Sequence, residues 1–404
     1  MEQVLRPADV YIAVMGLTGV GKSAFISLCT QKEVPIGHTL VSCTSSISIF
    51  SFKRGSTSVH LIDTPGFNDS TRSESEVLQE ISYWLSAAYG EAGAQSESRF
   101  RLDGIVYLHS IADPRWSGAT RRSFDILRNL CGPENNACIV LTTTFWNQVD
   151  KATGRHREGL LLNGKDKWHQ LLQNEPKSVV RRHDQGYKSA MSIIDFVVNR
   201  GVRYELLIQK ELAKPGVKLY DTTAGREARN LWEGDIERFQ KELSLAKEAF
   251  DVSRQDSDNS LTKDMANFRS SITERQTALK DLLLSKEELE DRWVTRNNRD
   301  VELLQRKIVD CHNVIDSLLK RCESSLTQED GAAAHAGNRA VSSRSDESSL
   351  LAEERRRQKA LMAQKMAKIA ARSMHIGVAS ALCSGVSAGV AVLPLLPFLM
   401  CSVM

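Results

Sequence analysis

The chain has 404 residues, a formal net charge of +3, and 25% charged against 41% hydrophobic residues. That length allows two domains plus extensions, and so small a net charge gives no ground for a nucleic-acid partner. Its eight cysteines (29, 43, 131, 138, 311, 322, 383 and 401) form no Cys-x-x-Cys pair, which argues against structural zinc and against a disulfide scaffold.

The first ten residues carry charges and a proline without an apolar stretch. No signal peptide is expected there, and a cytoplasmic, reducing setting is the expectation. An apolar strand is predicted over 10–15. Directly after it come Gly16, Leu17, Thr18, Gly19, Val20, Gly21, Lys22 and Ser23, and then a helical run from Ala24. Glycines at these positions let backbone N–H groups turn inward around phosphate oxygens, at dihedrals or distances that a Cβ would block. Lys22 then reaches the β- and γ-phosphates, and the Ser23 hydroxyl is placed for magnesium. The helix that starts near Lys22 aims its positive end at the same charge. Residues 16–24 are therefore the candidate nucleotide-binding loop.

Next comes the loop around Thr39 and Thr44. A threonine that senses the γ-phosphate through magnesium is expected here; Thr44 is the first choice and Thr39 its competitor. Strands are predicted over 46–52 and 58–62, joined by Lys53-Arg54-Gly55-Ser56, so the two form an antiparallel hairpin. The second ends in Asp63-Thr64-Pro65-Gly66. There Asp63 would hold magnesium through water, and the Gly66 N–H would meet the γ-phosphate. Further strands are predicted over 104–109, 137–142 and 179–182. The alternation with helical stretches predicts an α/β fold, a mostly parallel sheet with one antiparallel strand.

From 224 to 326 prolines vanish and charge density rises. Bulky residues at 265, 268, 272, 279, 282, 289 and 293, then at 301, 304, 308, 311, 315, 318 and 322, trace two helical seams. Antiparallel hairpins and oligomeric coiled coils both produce such runs. Residues 327–349 are small, polar and aperiodic, and read as a flexible linker. A helix over 350–375 with seven Lys/Arg (355, 356, 357, 359, 365, 368 and 372) follows. Residues 376–404 carry no charge. A helix from 376 to 393 would span about 27 Å, just short of a hydrocarbon core. That pattern suggests a C-terminal membrane segment with its basic flank at the anionic face. A small-residue helix buried against the stalk is the other reading. No aromatic residue interrupts the basic cluster, which disfavours nucleic acid.

The loop at 16–23, Ser42-Cys43-Thr44, Asp63-Thr-Pro-Gly-Phe67, the stretch 107–114 and Leu141-Thr-Thr-Thr-Phe-Trp146 together resemble the septin-like branch of the P-loop GTPases. That branch includes the immunity-associated and chloroplast-import GTPases, and the likeness is greatest to uncharacterised fungal G-domain proteins. It covers about half the chain. It implies a G domain over 8–215, GTP or GDP as ligand with Mg2+ held by Ser23, Thr44 and Asp63, and a partner in a second copy of the chain. It also implies base contacts from Trp146, Ser189 and Ala190.

Two departures stand out. Guanine choice normally rests on an Asn/Thr-Lys-x-Asp motif, whereas this strand ends Thr142-Thr143-Thr144-Phe145-Trp146-Asn147. Trp146 either stacks on the base or packs under the loop, and Asp150 is a candidate late substitute for the missing acid; neither demonstrates guanine choice. Phe67 stands where related enzymes place a water-orienting Gln, which implies slow hydrolysis and leaves the catalytic residues unknown. Arg115, Arg121 and Arg122 are conceivable helpers across a dimer, or surface ion pairs. Three functions stay open: a slow GTPase switch, a nucleotide-binding scaffold without turnover, and an ATPase.

Overall fold

The computed structural model describes residues 9–32, 47–68, 72–89, 100–164, 168–252, 259–329 and 337–384. Its centre is a six-stranded sheet in the order β2-β3-β1-β4-β5-β6. The strands are β1 (Asp9–Gly16), β2 (Ser48–Arg54), β3 (Thr57–Asp63), β4 (Gly104–Ser110), β5 (Ile139–Thr144) and β6 (Val179–Arg182). All neighbours run parallel except β2 and β3. The central strands β4 and β5 are buried at every position, as expected of parallel strands covered on both faces. At the edge, β2 turns outward at Ser51, Lys53 and Arg54, which are solvent-exposed.

The hairpin is tighter than the sequence suggests. Arg54 pairs with Thr57, leaving Gly55 and Ser56 as a two-residue turn with Gly55 at φ 60°. A left-handed first turn residue matches the twist of the flanking strands. The fifth strand begins at Ile139 and not at 137, because Pro133–Cys138 form a 3-10 turn that uses those residues first.

Around the sheet lie α1 (Lys22–Thr30), α2 (Glu74–Tyr89), α3 (Gly118–Cys131), α4 (Lys151–Asn163), α5 (His169–Gln173), α6 (Tyr187–Arg200) and α7 (Leu207–Leu212). Four longer helices follow: α8 (Thr223–Val252), α9 (Asn259–Asp281), α10 (Lys286–Glu329) and α11 (Gly337–Ser384). Where a flexible linker is expected over 327–349, helix runs to Glu329 and resumes at Gly337. Alanine, arginine and glutamate there have good helix propensity, and an aperiodic polar pattern does not by itself prevent a helix.

The predicted seams are covered within the chain. Asp235 of α8 meets Arg275 of α9 at 3.4 Å, and Phe239, one turn on, stacks with Phe268 at 6.4 Å. Rising number meets falling number, so the two helices are antiparallel. The same holds for α10 and α11, where Asn298 bonds Arg372, Asp300 bonds Lys368 and Gln305 bonds Lys365. Leu304, Ile308, Cys311, Ile315 and Leu318 are buried, and Leu361 of α11 joins the first three in one apolar cluster. Three of the seven basic side chains of the 350–375 helix thus face α10. Lys368 is 1% exposed against Asp300 at 2.9 Å, a buried ion pair whose loss on one side would strand a charge.

This helical layer sits on the sheet unit. Trp232 of α8 is fully buried and its Nε1 donates to Glu74 at 3.2 Å. Glu74 also accepts from Arg122 of α3 and Arg275 of α9. Helices α9, α10 and α11 all pack on α2, and α11 reaches the edge strand β2. Among the described residues no helix is long and apolar enough to cross a membrane. The expected apolar segment lies from 385 onward outside the described residues.

Candidate functional site

The turn between β1 and α1 is built by glycine. Gly16, Gly19 and Gly21 have φ of 141°, 85° and 95°, values costly for any residue with a Cβ. At Gly16 a Cβ would lie 2.4 Å from the Leu108 carbonyl oxygen, so β4 closes the floor of the loop. Val20 is held from the other side, its carbonyl accepting from the Thr144 hydroxyl of β5 at 2.9 Å. Leu17 bridges to Phe67, and the Thr18 N–H donates to the Phe67 carbonyl at 3.1 Å.

Lys22 opens α1 and is 7% exposed. Its Nζ donates to the carbonyls of Gly16 at 3.2 Å and Leu17 at 2.9 Å, so the loop's own backbone places the ammonium at its rim. Ser23 Oγ donates to Asp63 Oδ2 at 3.4 Å, and Asp63 is 2% exposed at the end of β3. A hydroxyl and a carboxylate oxygen side by side suit a hard cation such as Mg2+, so the residues present fit that group. Thr44, the third expected ligand, lies outside the described residues, as does Thr39. Ala24 follows Ser23 in the first turn of α1.

Gly66 explains the Asp-x-x-Gly spacing. A Cβ there would lie 2.4 Å from Thr18 Oγ1, 2.6 Å from Thr18 N and 2.8 Å from Lys22 Nζ. The two loops touch at a point where only glycine fits. The Thr18 hydroxyl is buried and has no hydrogen-bond partner among the described residues. Phe67 is 3% exposed and belongs to the core; its side chain packs inward while its backbone grips the phosphate loop.

The opposite end of the site, where a base would lie, is differently made. Trp146 is half-buried, donates through Nε1 to Thr143 Oγ1 at 3.0 Å and carries the Arg182 guanidinium 4.4 Å above its ring. A Cβ on Gly154 would come within 2.8 Å of it, so the indole packs under α4. Asp150 caps α4, accepting from the N–H of Ala152 and of Thr153, each at 2.9 Å. These bonds hold its carboxyl below the usual range, the Thr153 bonds foremost. Ser189 and Ala190 lie inside α6, 8% and 0% exposed. The Ser189 hydroxyl serves its own turn, accepting from Gln185 N and donating to Gly186 O, both at 3.0 Å, and it meets His183 Nδ1 at the same distance. The loop presented beside α1 is thus 183–186. His183 stacks edge-on against Phe25 at 5.4 Å, and burial holds its pKa below normal. Phe145 stands at φ 58°, its ring against Gly21.

Of the three candidate arginines, Arg122 turns inward to Glu74 and Asp235, and Arg121 is 59% exposed beside Asp125. Arg115 is exposed. One pattern the sequence reading passed over is Ser73-Glu74-Ser75-Glu76. Ser73 Oγ accepts from Glu76 N and Glu76 Oε2 accepts from Ser73 N, both at 3.2 Å. The Ser-x-x-Glu signature of a capping box would have located the start of α2.

Residues 11–122 match the family model described as "50S ribosome-binding GTPase". The chain is 26% identical over 135 residues to GTP-binding protein A of Dictyostelium discoideum, covering 32% of this chain. It spans 27% of the length of that curated relative. Among solved structures it is similar to Toc33 of Arabidopsis thaliana, with Mg2+ and GMPPNP, at 16% identity and a TM-score of 0.36. That overlap covers 49% of this chain and 88% of the other. Era of Aquifex aeolicus, bound to GDP.AlF4-, overlaps at 13% identity and a TM-score of 0.30, over 55% and 67% of the two chains. With the glycine loop after β1, the Asp-x-x-Gly after β3 and the family-model match across both, the N-terminal unit is an α/β P-loop G domain of the GTPase kind.

Proposed function

We propose that this protein binds GTP with Mg2+ at the loop over 16–24, hydrolyses it slowly, and passes the state of the site to its helical layer. The observation that carries the reading is the junction of Gly66, Thr18 and Lys22. There the two phosphate-facing loops meet with no room for a Cβ, and a buried threonine hydroxyl points into the contact. Support for guanine comes from the family-model match, not from the base end, where Asp150 is spent on α4. Ser23 and Asp63 are the described residues that would hold Mg2+, with Thr44 as the expected third. The ion supplies neutralisation of the β- and γ-phosphate oxygens. Inward N–H groups of the loop orient the polyphosphate, and Lys22 adds its charge at the bond to be broken. Water then adds to the γ-phosphorus, the bond to the β-γ bridging oxygen breaks, and GDP and phosphate leave. Phe67 has no group with which to orient that water.

The proposal extends to a dimer in which the exposed Arg115 or Arg121 approaches the partner's nucleotide, and to membrane contact through the apolar C-terminus. A scaffold that binds nucleotide without turnover is the second reading, favoured by the inward-packed Phe67. Phosphate release from purified full-length protein, with Mg2+ and either GTP or ATP over a range of protein concentrations, tests the set. Release from GTP that rises more than linearly with protein concentration supports the dimeric GTPase. Binding without release leaves the scaffold. Preference for ATP overturns the guanine reading.

A further inference from the structure

Helix α2 starts seven residues after Phe67, and one side chain on it gathers three parts of the molecule. Glu80 is 3% exposed. Its Oε1 accepts from Ile47 N at 2.6 Å, and its Oε2 pairs with Arg72 at 2.6 Å and with Arg296 at 3.5 Å. Ile47 immediately precedes β2, whose first residue, Ser48, pairs with Asp63. It follows the stretch that holds Thr44. Arg72 follows the Asp-x-x-Gly stretch, and it also donates to the Glu76 carbonyl at 3.2 Å. Arg296 belongs to α10 and donates to Glu76 Oε1 at 2.9 Å. Glu76 is the acid of the capping box that starts α2.

The charge arrangement is selective. Two carboxylates, Glu76 and Glu80, lie one turn apart on α2, and two guanidiniums approach them from different bodies. Arg72 belongs to the G domain, and its side chain is 6% exposed. Arg296 belongs to the helical layer, and its side chain is 25% exposed. A buried carboxylate held by two guanidiniums and a backbone N–H has a narrow range of positions, because each lost partner leaves a desolvated charge. Any shift of α2 or of the start of β2 must therefore be answered at Arg296.

We infer that Glu80, with Arg72 and Arg296, is a positioning centre that fixes the start of β2 and the segment after Asp63–Gly66 relative to α10. Through it the helical layer sets how well the site distinguishes a triphosphate from a diphosphate. This rests on the nucleotide-binding reading above. By reciprocity, a ligand that moves α2 or β2 alters α10 to the same degree that α10 alters the ligand's affinity.

The test uses the full chain with GDP and a non-hydrolysable GTP analogue, each with Mg2+. Two variants remove the helical link while keeping the fold's main supports. Arg296→Met leaves Glu80 paired with Arg72 and Ile47. Glu76→Gln keeps an acceptor for the capping box and removes the nearer of the two charges that Arg296 meets. In the wild type, amide exchange in α10 around 290–300 should differ between the two nucleotides. In both variants that difference should vanish, and the ratio of the two dissociation constants should shift by about 5-fold or more. Arg296→Lys, which keeps the charge, should recover part of the ratio. Ratios within about twofold of wild type in every variant would overturn the inference, as would equal losses of both affinities, the mark of a merely structural role. Failure of the wild type to bind either nucleotide would instead remove the proposed function itself.

Discussion

The two ends of the candidate nucleotide site are built on opposite principles. At the phosphate end the work is done by main chain: three glycines at positive φ, two carbonyls holding Lys22, and Gly66 wedged against Thr18. At the base end the candidate side chains already have tasks in the fold. Trp146 lies between Arg182 and Gly154, Asp150 caps α4, and Ser189 closes its own turn. Chemistry borne by backbone demands particular residues at particular positions. A side chain can be claimed by structure, leaving its type uninformative about ligands.

The contrast can be broken most forcefully at Lys22. Lys22→Ala removes a charged donor to phosphate and should weaken binding by about 100-fold, with the melting temperature little changed. Titration of the variant with Mg2+-GTP reads this directly. Gly66→Ala comes next. Its methyl would overlap Thr18 and Lys22, and overpacking of about 1–3 kcal/mol corresponds to roughly tenfold or more in affinity if the loops separate. Affinity equal to wild type would show that the loops are not held together as described.

At the base end the expected order reverses, with stability responding more than binding. Trp146→Ala should lower unfolding free energy by about 2 kcal/mol, since the indole is half-buried. Nucleotide affinity should change by less than about threefold if the ring is structural. A large loss of GTP affinity at unchanged stability would mean that the indole stacks on the base. Asp150→Ala should lower the melting temperature slightly through loss of the helix cap, with no change in GTP-to-ATP preference. Altered preference would restore Asp150 as a base-reading acid.

The same division decides how much was legible in the amino-acid sequence. The loop over 16–23 and Asp63–Gly66 could be read because their spacing follows from φ values and close approach. The antiparallel hairpin was readable from Gly55. Helical seams at 304, 308, 311, 315 and 318 were visible as a periodic pattern, yet periodicity names a buried face without naming what covers it. Here α11 covers it, helped by Lys368 and Asp300, and a buried lysine is invisible to any count of basic residues. The start of the fifth strand moved because Pro133 initiates a turn. Ser189 matched a two-residue pattern but sits inside α6, where so short a match has no geometric content. Glu80 could not be found at all from sequence, because its three partners lie 8, 33 and 216 positions away.

Calorimetric titration of the full chain with GTP in the presence of Mg2+, beside Lys22→Ala, tests the central claim most directly. A saturable one-to-one heat in the wild type that is lost in the folded variant is the predicted result. Equal binding by both proteins, or no heat from the wild type with either GTP or ATP, would contradict it.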